Sequence, residues 1–416
     1  MERAVSASGD KPLLSAARAA RRGRLLDGAA GEFRRNGVAG ADLALITREV
    51  GLTRSSLYNY CTDRHDLARQ CYLHLLDPML QDLARAMARS GSGLQAIVDF
   101  LVEARDRDQS HAIIASELDT LSADGRREIE RRQTEAFDML AALVERGIGD
   151  GSIRPNDPAI AARTIWGILA WAPLGDIWSR RAERDPFGRL SVELPRIVES
   201  GVSTRPAPAR IEAVEIDDWS ALAPPPPADR AGEIVATASA LFNARGVDGV
   251  SLDDIAAAMT ATKGLIYHHF DSKAALVAQC LDRAFAIYDR LLDRGERHSS
   301  GVERARAGIV LNVQAQLDPA GPMSLTATSY HKLSSEEQAR FSVQTNHLLD
   351  RSIATMELGN RDGTLRPFEA EPTALASAGT FNFVARWLPA AAAASPIRVA
   401  FEVSNLFLHG LSAERR

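Results

Sequence analysis

The chain has 416 residues, 45% of them apolar and 25% charged, and a net charge of −5 from 49 basic and 54 acidic side chains. At roughly 150 residues per domain, that length predicts two to three domains. The charge balance excludes a globally basic nucleic-acid coat but leaves room for a local basic patch. Aromatics are only 6%, and most of the apolar content is Ala and Leu, which favours helices over a β-sandwich or barrel. Cys61, Cys71 and Cys280 make no CxxC pair, so neither a disulfide framework nor structural zinc is expected. No stretch reaches the roughly 18 apolar residues of a membrane helix; 160–174 comes nearest, and Arg163 interrupts it. Glu2 and Asp10, with no apolar run, do not read as a signal peptide. The expectation is a reducing, cytoplasmic setting, with no cofactor, no metal and no membrane partner.

In chain order, residues 1–20 read as a basic N-terminal arm. The segment 11–24 carries Lys11, Arg18, Arg21, Arg22 and Arg24 and no acid. That pattern suits a DNA backbone or minor groove, and equally a solvated helix face. Leu25, Ala29 and Phe33 then recur every four residues, one face of an amphipathic helix that Gly37 ends. Asp42 is an N-cap type before a short helix over 42–50. Gly51-Leu52 is a tight turn, and Thr53 opens a second short helix over 53–60. This is the spacing of a helix-turn-helix, and the first such domain spans 21–70. Residues 71–200 read as a helical regulatory domain. Residues 201–229, with Pro206, Pro208 and four consecutive prolines at 224–227, read as a semi-rigid linker. Within it, 211–222 with Trp219 either docks on a domain surface or is disordered.

The chain then repeats itself. Residues 25–72 align without a gap on 234–281, with twelve of 48 positions identical. Ile234, Ala238 and Phe242 repeat the first helix face, and Gly246 its stop. Ser251 repeats the N-cap, and Thr262 the opening of the second short helix. A second echo pairs 149–155 (GDGSIRP) with 361–367 (RDGTLRP). Two echoes at nearly one offset imply duplication of a whole unit. The second helix-turn-helix domain then spans 230–278 and the second regulatory domain 279–416.

Arg54 and Lys263 each follow the residue that opens a recognition helix. A cation there opposes the helix dipole, but suits a DNA phosphate or base edge. The segment 263–276 (KGLIYHHFDSKAAL), preceded by LDDIA at 252–256, resembles the signature of the TetR family of transcriptional repressors. Residues 54–67 (RSSLYNYCTDRHDL) are a weaker match, departing at Asn59, Tyr60 and Cys61. The second copy departs at Thr260, where the turn usually has Gly. The resemblance covers about 50 residues per copy. It implies an all-α fold of two tandem units, each a three-helix head followed by a helical regulatory domain.

The resemblance also implies roles. Thr53, Arg54, Ser55, Tyr58 and Asn59 would face DNA from the first copy, with Arg64 on a phosphate. Thr262, Lys263, Gly264, Tyr267 and His268 would do so from the second, with Lys273 on a phosphate. Ile46, Leu57, Cys61, Leu67, Ile255, Ile266, Phe270 and Leu276 would be core. Charge divides the heads: residues 1–72 hold 12 basic and 8 acidic side chains, a net of +4, whereas 228–281 hold 4 and 6, a net of −2.

Family members bind a small, mostly apolar effector in the regulatory half. Aromatic candidates for lining it are Phe137, Trp166, Trp171 and Trp178 in the first copy, and Tyr330, Phe341, Phe381, Phe383 and Trp387 in the second; the same stripes also suit core or dimer interface. No GxSxG, P-loop, HExxH or post-strand GxGxxG is present, so no enzyme is expected. The expected partner is a double-stranded operator. A fused chain would supply both heads of the usual dimer as an intramolecular pseudo-dimer, or a dimer of such chains. Its regulatory halves would pack near 158–178 and 373–387. The rival reading is an adaptor whose degenerate heads only dimerise.

Overall fold

The computed structural model describes residues 10–105, 118, 120–179, 186–325, 333–388 and 395–413, with backbone alone at 10–17, 34, 35, 105, 172–179, 186–188 and 385. Every regular element among them is a helix, apart from two isolated β-bridges. The first half comprises α1 (Asp10–Gly40), α2 (Leu43–Glu49), α3 (Arg54–Leu57), α4 (Arg64–Ala88), α5 (Gly93–Arg105), α6 (Ala123–Asp150), α7 (Pro158–Ser179) and α8 (Pro186–Ser200). The second half repeats that order, except that the counterpart of α7 is split into two helices. It comprises α9 (Arg230–Arg245), α10 (Leu252–Ala258), α11 (Lys263–His269), α12 (Lys273–Gly295), α13 (Gly301–Leu317), α14 (Ser335–Asp362), α15 (Ala370–Gly379), α16 (Val384–Trp387) and α17 (Pro396–His409).

Local chemistry sets the head helices. Gly37 (φ 69°) breaks α1 and Gly246 (φ 76°) ends α9, a conformation that costs glycine little. Asp42 accepts from the Ala44 amide at 2.8 Å to open α2. Ser251 and Asp254 form a reciprocal capping box on α10. Thr53 accepts from the Ser56 amide at 3.2 Å. Thr262 occupies the same N-cap position on α11, but its hydroxyl makes no capping bond, so the shared threonine does not do the same work in both copies. The first helix-turn-helix turns on Gly51 (φ 67°), the second on Thr260 (φ 52°), the one non-glycine with positive φ among the described residues. A β-branched side chain there is strained by about 1–2 kcal/mol. Thr260→Gly should relieve that strain, less glycine's extra unfolded-state entropy, and raise stability by about 0.5–1 kcal/mol in urea titration.

In each head a small core holds three helices together. Leu25, Ala29, Phe33, Ile46, Leu57 and Leu67 are buried in the first, and Ile234, Ala238, Phe242, Ile255, Ile266 and Leu276 in the second. The equivalent thiols of Cys71 and Cys280 donate to the carbonyls of Leu26 and Val235 at 3.5 and 3.6 Å. Burial pushes the Cys61 thiol up to about 11 and Cys280 up to about 12, and drives Cys71 well above its ordinary value. At neutral pH all three are therefore protonated and occluded. An aromatic disulfide reagent should titrate no thiol in the native protein and three after unfolding.

Helices α4 and α12 run unbroken out of the heads, so the sequence-based boundaries at 70/71 and 278/279 fall inside continuous helices. The basic arm is also helical from Asp10 and continuous with α1. Arg22 there donates to Gln70 Oε1 at 2.8 Å, while Arg18, Arg21 and Arg24 are exposed.

The two halves meet along a reciprocal seam. Helix α7 packs on α15 at equivalent glycines: a Cβ on Gly167 would lie 2.7 Å from the Gly379 carbonyl oxygen, and one on Gly379 2.7 Å from the Ile168 Cα. Arg154 donates through its amide to the Leu411 carbonyl at 2.9 Å, and its counterpart Arg366 to the Val202 carbonyl at 2.7 Å. Ile153 bridges Ser412, and Ser203 bridges Leu365. The guanidinium of Arg154 donates to Gly410 O at 2.8 Å, and that of Arg366 to Ser203 O at 3.2 Å. Arg189 pairs with Glu369 at 3.1 Å, and Arg398 with Asp157 at 3.3 Å. The glycine, amide, bridge and ion-pair contacts each have a partner with the two halves exchanged, as in an isologous two-fold interface, whereas the two guanidinium groups choose carbonyls that are not equivalent.

The segment 201–229 is well anchored. Trp219 is buried and its Nε1 donates to Asp318 Oδ2 at 2.9 Å. The buried carboxylate of Asp217 meets Arg294 and His298, both at 2.7 Å, and its carbonyl accepts from Gln314 at 2.8 Å. Of the two sequence readings, this patch docks, on α12 and α13.

Candidate DNA interface

Each head offers a short recognition helix with an outward polar face. In the first, Thr53, Arg54, Ser55, Tyr58 and Asn59 are all exposed. The Thr53 hydroxyl lies 2.9 Å from the Ser55 hydroxyl and 2.8 Å from that of Ser56, which ties down the start of α3. Tyr58 is 53% exposed, while Leu57 beside it is buried in the core. About half of the Tyr58 side chain is therefore open to solvent and the rest lies against the head.

In the second head Thr262, Lys263, Gly264, Tyr267 and His268 are exposed, with Tyr267 at 50%. Ile266 and Phe270 point inward. Alternation of this kind leaves one face of α11 for a groove and the other for packing. A side chain added at Gly264 would meet only Thr262 Oγ1, at 3.8 Å, so the glycine keeps the face flat rather than the core tight. The His268 and His269 rings meet edge to face, 5.0 Å apart.

The cations are not equally available. Lys263 Nζ pairs with Asp253 Oδ2 at 3.0 Å, and that hydrogen bond holds the ammonium above its ordinary range. A phosphate would have to compete with this carboxylate. Arg64 donates to the carbonyl oxygens of Val38 (3.1 Å) and Ala39, closing the end of α1. Lys273 is half-buried at the start of α12. Arg54 is exposed, with no ion pair among those of the described residues. The second head thus has the closer sequence signature, and the first the freer positive charge.

Residues 234–280 match the family profile described as bacterial regulatory proteins, tetR family. Residues 93–174 match the profile described as tetracyclin repressor-like, C-terminal domain. Over both segments the chain is similar to the TetR family. The two matches fall on opposite copies, on the head of the second and the regulatory half of the first. IcaR of Staphylococcus aureus strain Newman, a negative regulator of a biofilm operon, is 32% identical over 68 residues, 16% of this chain and 37% of IcaR. The chain thus spans little more than a third of that relative's length. The repressor KstR2 of Mycolicibacterium smegmatis is 27% identical over 150 residues, 35% of this chain and 71% of KstR2. Among solved structures, apo AibR aligns with a TM-score of 0.37 at 22% identity, over 44% of this chain and 99% of AibR. PfmR of Thermus thermophilus, a TetR-family regulator, aligns with a TM-score of 0.39 at 22% identity, over 45% of this chain and all of PfmR.

The aromatic candidates of the regulatory halves separate into groups. Phe137 meets Trp166 at 5.7 Å and Trp387 at 6.0 Å, and Trp171 meets Phe383 at 6.5 Å. Phe383 stacks on Trp387 at 4.3 Å. These five rings form a seam between the copies, with Arg163 lying 4.8 Å above Phe137. Phe341 stacks on Phe285 at 5.6 Å and is fully buried. Trp171 and Phe381 line a cavity in the second half, with about 680 Å³ of empty space counted to its open mouth. Tyr330 and the side chain of Trp178 lie outside the described residues. Tyr288, Asn312, Leu348 and Leu375 also line the cavity, and sequence reasoning passed over them. Tyr288 and Leu375 sit among ordinary apolar positions of their helices, where periodicity does not distinguish a cavity wall from filled core.

Proposed function

We propose that this chain is a DNA-binding transcriptional repressor that works as a single-chain pseudo-dimer on an asymmetric operator and is released by a small, mostly apolar effector. The observation that carries this reading is the pair of exposed, unlike recognition faces on halves that pack reciprocally. Arg54 stands opposite Lys263 in the alignment, Ser55 opposite Gly264, and Asn59 opposite His268. Two unlike half-sites, with centres about 34–36 Å apart, would satisfy both heads at once. Repression is supported by what IcaR and KstR2 are named for.

The cavity supports the effector. Its walls are largely aliphatic and aromatic, and Trp171 comes from the other half of the chain. Three residues of its wall carry buried polar atoms, Trp171 Nε1, Asn312 Oδ1 and Asn382 Oδ1, with no hydrogen-bond partner among the described residues. An apolar ligand with one or two polar groups would satisfy them. Tyr288 and Leu292 bring α12 into the wall, and the same helix leaves the head at Lys273. An effector that shifts α12 would tilt the second head. A hundredfold loss of DNA affinity requires about 2.7 kcal/mol of preference for the non-DNA arrangement. Leu375→Trp should fill the cavity, leave operator binding within about threefold and abolish release by cell-extract metabolites.

Selection from a random duplex library tests the main reading. Two unlike half-sites bound by one chain support it. A perfect palindrome would favour two chains using one head each. No shift at low salt would favour the adaptor.

A further inference from the structure

A second cavity lies where the linker crosses α13. It is an open hollow of about 1450 Å³, adjoining solvent included, between 205–217 and the 297–310 segment. Pro206, Pro208, Val302 and Val310 supply apolar wall. Arg306 reaches into it from α13. Its Nη2 lies 3.0 Å from His409 Nε2, and His409 Nδ1 lies 3.1 Å from the Arg205 carbonyl oxygen. That pairing uses His409 as a neutral ring, accepting at Nε2 and donating at Nδ1. Arg306 Nη1 is buried and has no hydrogen-bond partner among the described residues.

The carboxylates that line the cavity and meet a cation do so elsewhere. Asp217 is held by Arg294 and His298, and Glu303 by Arg205 at 3.2 Å and by the Ser300 hydroxyl at 2.7 Å. Glu215 faces the same space from the linker and Arg297 from the turn after α12. Arg306, half-buried, is left with a neutral hydrogen-bond partner and the neighbouring cation Arg205, opposed only by the weaker pull of Glu303, which Arg205 itself engages. Burial and Arg205 together bring its guanidinium down to about 10. A buried cation without its counter-charge is costly unless an anion supplies it.

We propose that this cavity binds a small organic anion, with its carboxylate on Arg306 and its apolar body against Pro206, Pro208, Val302 and Val310. The site has no twin. The equivalents of Arg306 and His409 in the first copy are Val98 and Ser200, and the linker wall exists once per chain. Because 201–205 also belongs to the seam between halves, occupancy would tie the linker to α13 at the point where the copies join.

Octanoate and the uncharged octanol are suitable probes, read by calorimetry on the full chain. Saturable octanoate binding should weaken tenfold or more in Arg306→Met, through loss of a charge-assisted bond. Ala207→Trp, at an exposed position of the wall, should block it similarly without touching the fold. Leu375→Trp, in the other cavity, should leave it unchanged. The proposal is overturned if octanoate fails to bind, if octanol binds as tightly, or if binding survives both Arg306→Met and Ala207→Trp. Loss in Leu375→Trp alone would overturn it equally, by placing octanoate in the effector cavity.

Discussion

Disabling one head while leaving the other intact should cost operator affinity about a hundredfold or more. Two heads on one rigid chain make the second contact intramolecular, and such linkage contributes 10²–10⁴ in avidity, about 2.7–5.5 kcal/mol. Arg54→Ala with Tyr58→Ala disables the first head, and Lys263→Ala with Tyr267→Ala the second. Both tyrosines are about half exposed and both cations lie on the surface, so the melting temperature should hold. The first pair should cost more. Arg54 is free of ion pairs among those of the described residues, whereas Lys263 already satisfies Asp253. The log–log salt slope should also flatten, by about 0.9 for each phosphate contact removed, between about 50 and 300 mM salt. Single-head variants that bind within threefold of the parent would end the two-headed reading. If neither pair changes affinity or slope in a folded protein, the adaptor reading takes its place.

Prising open the seam should have the largest effect on stability. Gly410→Val or Gly201→Val is expected to cost about 2–6 kcal/mol, from two additive causes. Gly410 has φ 66° and ψ −167°, a region that side-chain-bearing residues hardly enter, and Gly201 has φ 66°. A Cβ on Gly410 would also lie 2.4 Å from the Glu199 oxygen, and one on Gly201 2.4 Å from the Gly410 nitrogen. These obstacles are backbone atoms, which no rotamer change moves aside. Gly151→Ala separates the causes. Its φ is 79° but nothing lies within 4 Å of an added Cβ, so it should lose only about 1–2 kcal/mol. Urea titration of the three variants gives the comparison. If Gly410→Val unfolds with the parent, the halves do not meet as described. If it is as mild as Gly151→Ala, steric closeness at the seam contributes nothing. Operator affinity should fall with the seam, because avidity depends on a fixed separation of heads.

Structure that depends on near neighbours along the chain is legible in the residues alone. Helix faces such as Leu25–Ala29–Phe33, caps such as Asp42 and Ser251, and the helix stops at Gly37 and Gly246 all involve residues a few positions apart, where the physics of one turn decides. Duplication was equally legible, since identity at a constant offset needs no coordinates. The outward placing of Tyr58 and Tyr267 came from the family resemblance, and their exposure beside the buried Leu57 and Ile266 agrees with it.

Relations between residues some two hundred positions apart depend instead on how the helices pack. Nothing local marks Phe137, Trp166 and Trp387 as a seam and Trp171 and Phe381 as cavity wall, because all are large apolar groups on amphipathic helices. Likewise Thr53 and Thr262 are identical in sequence, yet only one caps its helix. Nothing local tells that Arg64, a phosphate contact by resemblance, also donates to the carbonyls of Val38 and Ala39. Nothing near it in sequence singles out Arg306, whose Nη1 is buried without a hydrogen-bond partner among the described residues once the linker and α17 pack beside it. Each outcome depends on desolvation by distant segments, and burial is a property of the packed chain rather than of any stretch of it.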